Sequence, residues 1–76
     1  MTDTLADIKP GNKAQVIDIT GGKSNSRLLD MGIIPGTEIK VTAVHPFKGP
    51  VVVEIDGSQV AIGRRIAQLI TVRALR

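Results

Sequence analysis

Apolar and polar residues alternate along most of this chain, and the alternation marks out its strands. Over residues 37–44 the run Thr-Glu-Ile-Lys-Val-Thr-Ala-Val puts Ile39, Val41 and Ala43 on one face and Glu38, Lys40 and Thr42 on the other. That is the period of a strand with one side buried. Residues 50–56 repeat it, with Val51, Val53 and Ile55 inward and Val52, Glu54 and Asp56 outward. Asp56-Gly57 then predicts a two-residue hairpin turn, since both residues tolerate the positive φ such turns demand, and residues 59–62 form the return strand. Lys13–Ile19 is also rich in β formers, but Ile17 and Ile19 fall on the opposite parity from Ala14 and Val16, which predicts a bulge. Residues 69–72 give the last strand, placed to pair back near the first.

Two segments break the alternation. Residues 24–31 offer Ser24 as an N-cap, helix formers at Arg27, Leu28, Leu29 and Met31, and Gly32 where a helix would end in the left-handed region. A helix of about two turns has little stability of its own in water, so Leu28 and Met31 must anchor it on the strands. Residues 63–68 predict a single turn before the last strand. Pro10-Gly11 and Pro35-Gly36 fit the second and third positions of type II turns, each opening a strand. The elements predict one all-β domain over residues 1–76, a small SH3-like barrel of about five strands with one short α-helix between the first and second.

Composition thins the core and removes several chemistries. A chain of 76 residues buries only about 60% of the surface its unfolded form exposes. With Phe47 as the single aromatic, that core must be aliphatic. Cysteine is absent, so neither disulfides nor thiolate chemistry are available. No signal-peptide pattern or membrane-length apolar run is present, so the chain is expected to be cytoplasmic and not inserted in a membrane. The net charge of +3 is spread over scattered lysines and arginines, with Arg64-Arg65 the nearest approach to a cluster. Without Tyr or Trp there is no stacking platform for single strands, and no nucleic-acid partner is expected.

Reactive side chains do not combine into a site. His45 is the lone histidine, and its nearest acids in sequence, Glu38 and Glu54, are not at ligand spacing, which makes it a loop residue. Glu54 and Asp56 share a strand face that solvent explains. Ser24, Ser26 and Ser58 have no histidine at a telling distance. Gly22-Lys23-Ser24 resembles the end of a phosphate loop, but Ile17 stands where its first glycine belongs. No catalytic, cofactor-binding or metal-binding residue is assigned, and no cofactor is expected.

The order of the turns and aliphatic runs is more telling than any one of them. Leu5-Ala6-Asp7-Ile8-Lys9-Pro10-Gly11, then Leu28-Leu29-Asp30-Met31-Gly32-Ile33-Ile34-Pro35-Gly36-Thr37-Glu38-Ile39, then Pro46 and Gly49-Pro50, Val60-Ala61-Ile62-Gly63-Arg64, and Ala67 with Ile70-Thr71-Val72 closely resemble the FeoA family. The resemblance covers roughly residues 4 to 73. It implies a small cytosolic barrel of bacterial ferrous iron uptake, partnered with the FeoB-type membrane transporter and its cytosolic GTPase domain. It also implies a likeness to the SH3-like domain of iron-dependent repressors, which gives a regulatory domain of that kind as the alternative reading, beside a small nucleic-acid-binding barrel.

A protein that works by contact needs exposed anchors, and a thin core leaves few apolar groups to supply them. Phe47, in a loop flanked by prolines and next to Lys48, is the first choice. Ile33 and Ile34 are the second, with one of the pair expected in the core. Arg64 and Arg65 would meet an anionic partner surface. Self-association is left open.

Overall fold

Each of the five alternating segments becomes a strand, and a sixth comes from the N-terminus. The computed structural model describes residues 2–20, 32–47 and 49–75. The strands are β1 (Asp3–Thr4), β2 (Lys13–Ile19), β3 (Glu38–Val44), β4 (Val51–Ile55), β5 (Ser58–Ile62) and β6 (Ile70–Leu75). A 3-10 turn occupies Leu5–Asp7, and one helical turn, α1, occupies Arg64–Ala67. The helix expected over residues 24–31 lies outside the described residues.

The strands form one sheet in the order β1-β6-β2-β3-β4-β5, with every neighbouring pair antiparallel. The last strand does pair back on the first expected one, Val16 opposite Val72 and Ile19 opposite Ile70. Its other edge carries β1, through Asp3 opposite Val72 and Thr4 opposite Thr71. That pair makes the count six rather than five, because two residues are too few for alternation to show.

Inward side chains from β2 to β6 meet in a single aliphatic core, joined by Leu5, Ile8, Ile33 and Ala67 from the connections. No polar side chain is buried among the described residues.

Two bulges decide which residues reach that core. In β2, Val16 pairs with Val72 and Asp18 with Thr71, so Ile17 is the extra residue. Ile19 then regains the inward face and packs on the core. In β3, Val41 pairs with Val53 but Ala43 with Val52, so Thr42 is extra, and its Oγ1 donates to the Val52 carbonyl at 3.2 Å. The expected inward placement of Ala43 is therefore wrong. Beyond the bulge Ala43 shares the outer face with Val52, and Val44, opposite buried Val51, packs inward in its place.

The turns follow their chemistry. Asp56 and Gly57 both hold positive φ, 49° and 83°, and close Ile55 against Ser58. Gly36 sits at φ 97°, with the Thr37 amide donating to the Ile34 carbonyl at 3.0 Å across the Pro35-Gly36 turn.

Candidate interaction surface

The β3–β4 connection, from His45 to Pro50, is drawn tight by its own backbone. His45 N–H donates to the Pro50 carbonyl and Gly49 N–H to the Pro46 carbonyl, both at 3.2 Å. Phe47 stands second in that inner turn at φ 59°, a left-handed conformation that costs a residue with a Cβ about 1 kcal/mol or more. Its ring is 99% exposed. Gly49 is required by close approach, since a Cβ there would lie 2.8 Å from the His45 Cβ and 3.2 Å from the Pro46 carbonyl oxygen.

Arg64 locks this turn from the other side. Its Nε donates to the Gly49 carbonyl and its Nη2 to the His45 carbonyl, each at 3.3 Å. The Arg64 guanidinium, expected to face a partner, thus holds the loop that carries Phe47. Arg65 beside it on α1 is exposed, and Lys48 lies outside the described residues. Replacing Arg64 with Ala should lower stability by about 1 kcal/mol. It should also raise hydrogen exchange at the Gly49 amide more than at amides of β4, a difference measurable by NMR.

At the other end of β3 the chain makes a second fixed corner. Thr37 Oγ1 donates to the Gly32 carbonyl at 3.1 Å and accepts from the Ile34 amide at 3.3 Å. Gly36 N–H donates to the Val16 carbonyl at 2.7 Å, and Val16 N–H to the Thr37 carbonyl at 2.8 Å, which bolts the corner to β2. This resolves the isoleucine pair: Ile33 is fully buried and Ile34 is 45% exposed.

The structure therefore groups Phe47 with Arg64 and separates them from Ile34. Between the two corners runs the whole of β3, seven residues or roughly 20 Å of extended chain. They are two surfaces rather than one patch. The outer face of β2, β3 and β4 carries both acids and lysines, with Lys40 between Lys13 and Glu54 in register. Among the described residues no three of His, Asp and Glu gather as metal ligands would.

The clamp by Arg64 was the feature sequence reasoning missed, although a signal existed. The two-residue turn at Asp56-Gly57 fixes the β4–β5 register and sets Val51 opposite Ile62. Extending that register by two places brings Gly49 to Arg64.

The same fold is found in proteins already described. A sequence model of the FeoA domain matches residues 4–74. The chain is similar to a candidate Fe(2+) transport protein A of Methanocaldococcus jannaschii, 39% identical over 69 residues that cover 90% of this chain and 82% of that one. It superposes on the crystal structure of an iron uptake regulatory protein, FeoA, with a TM-score of 0.87 and 35% identity over 99% of both chains. A manganese-dependent transcriptional repressor has the same barrel, with a TM-score of 0.85 and 26% identity over 97% of this chain and 42% of the repressor.

Proposed function

Since the chain belongs to the FeoA family, we propose that it serves ferrous iron uptake as a cytoplasmic accessory protein, docking on a FeoB-type membrane transporter through that transporter's cytosolic GTPase domain. The observation that carries this reading is Phe47. A fully exposed aromatic in the left-handed region gains nothing from burial on folding and carries an unfavourable backbone conformation, and such local strain gathers where a residue is used. A rigid aromatic presented on a braced turn is the form of a binding anchor, which gains its energy when a partner pocket covers it. Exposed Arg65 on α1 beside the brace adds positive charge suited to an acidic rim on the partner. Arg64 acts within this surface as a positioning residue.

No helix among the described residues is long and apolar enough to cross a membrane. In this reading the membrane is reached through the transporter, and the chain acts by contact rather than by catalysis. Titration of the chain into the full-length transporter in lipid nanodiscs tests the docking, with GDP, with a non-hydrolysable GTP analogue and without nucleotide. Saturable binding in at least one state is expected. Its absence from all three would overturn the reading.

A further inference from the structure

His45 is the single histidine of the chain, and histidine is the side chain whose charge changes between about pH 5 and 8. It stands two residues before Phe47, at the foot of the braced turn. Both of its backbone groups are engaged: its N–H donates to the Pro50 carbonyl at 3.2 Å, and its carbonyl accepts from Arg64 Nη2 at 3.3 Å. The residue is therefore fixed in place, while its side chain is exposed and makes no hydrogen bond or ion pair with the described residues. A Cβ on Gly49 would meet the His45 Cβ at 2.8 Å, so the side chain leaves the backbone over the turn rather than away from it.

The charges around His45 are of one sign. Helix α1 brings Arg64, bonded to the His45 carbonyl, and exposed Arg65. The end of β3, the start of β4 and the end of β5 bring no charge, since residues 42–44 are Thr-Ala-Val, 51–53 Val-Val-Val and 61–63 Ala-Ile-Gly. Lys48, adjacent by sequence, is again a cation. The first carboxylate along these strands is Glu54, which lies opposite Lys40 and three residues beyond Val51, roughly 10 Å along β4. A protonated ring at this place has no counter-charge among the described residues.

We infer, on the footing that the Phe47 turn docks on an acidic partner rim, that His45 makes this docking pH-dependent: its protonated ring pairs with a carboxylate of that rim, and the complex tightens as pH falls. A carboxylate that the ring meets only in the complex favours the protonated form there, so binding takes up a proton and a lower pH favours the bound state. Phe47 has no charge to change and Arg65 keeps its charge throughout this range. They set the affinity at the alkaline end, and His45 supplies the part that varies.

Isothermal titration into the full-length transporter in nanodiscs tests this with the wild-type chain and His45→Gln, at about pH 8 and about pH 5.5, where partner carboxylates remain ionised. Glutamine is uncharged and leaves both backbone bonds of residue 45 in place, so the thermal transition of the variant should match that of the wild type. The two chains should bind alike at the higher pH. At the lower pH the wild type should bind roughly two- to fivefold more tightly than His45→Gln, an excess that shrinks with added salt. Near pH 6.5, the heat of wild-type binding should vary with the ionisation enthalpy of the buffer, which reports proton uptake, and should vary less for His45→Gln. An affinity ratio that is the same at both pH values would overturn the inference, and so would a wild-type chain that binds more weakly than His45→Gln at the lower pH. No saturable binding at either pH would instead overturn docking itself, and this dependence with it.

Discussion

Replacing Leu5 with Ala should cost about 2–5 kcal/mol, the usual range for a buried leucine whose cavity the surroundings cannot refill. A domain of 76 residues has only roughly 4–11 kcal/mol in hand, so this one change should leave a measurable unfolded fraction at room temperature. The reason lies in how Leu5 is delivered. It is fully buried, yet it comes from a single 3-10 turn rather than from a strand. That turn is held by the Thr4 amide and hydroxyl donating to Asp7 Oδ2 at 3.3 and 3.0 Å, and by Ile8 N–H donating to the Leu5 carbonyl at 3.3 Å. Strand β1, just before it, is two residues long and depends on the same anchor. Urea denaturation should show a lower midpoint with an unchanged slope, the mark of lost stability without a change in the surface exposed. Leu5→Met, which keeps the volume, should cost less than about 1.5 kcal/mol. A cost for Leu5→Ala below about 1 kcal/mol would mean that the strands close without this plug.

Leu5 also shows where a sequence stops being legible. The central strands could be read because their two faces differ and the period is two, and the bulge in β2 because Ile17 and Ile19 break parity. The bulge in β3 leaves no such trace. Residues 37–44 alternate without fault, and Ala43 is displaced by a pairing with β4 that local pattern does not encode. The segment before Pro10 has no period at all, and its partners Thr71 and Val72 lie at the far end of the chain. Of the surface residues, Phe47 was legible because prolines on both sides of a loop leave little chain with which to fold an aromatic inward. For Ile33 and Ile34 the sequence requires that one face in, but the choice is made by Gly32 at φ 81° and by the two hydrogen bonds of Thr37. The brace from Arg64 needed the hairpin register carried beyond the strands.

Phe47→Ala should weaken binding to the transporter by roughly ten- to a hundredfold, about 1.4–2.7 kcal/mol, as expected for truncation of an aromatic anchor. Its stability should stay within about 0.5 kcal/mol of the native chain, because the ring is exposed and touches nothing that folding needs. Phe47→Gly separates the two roles further. Glycine accepts the 59° φ without strain, which favours the folded turn by about 1 kcal/mol, partly offset by the greater freedom of glycine in the unfolded chain. A variant at least as stable as Phe47→Ala that binds equally poorly would show that Phe47 is kept for contact and at some cost to the fold. Ile34→Ala provides the comparison, since Ile34 is the other exposed aliphatic corner and lies a full length of β3 away. Isothermal titration of the three variants reads the outcome. If Ile34→Ala abolishes binding while Phe47→Ala leaves it intact, the docking face is the corner built by Gly32, Pro35-Gly36 and Thr37, and the braced turn is a structural feature alone.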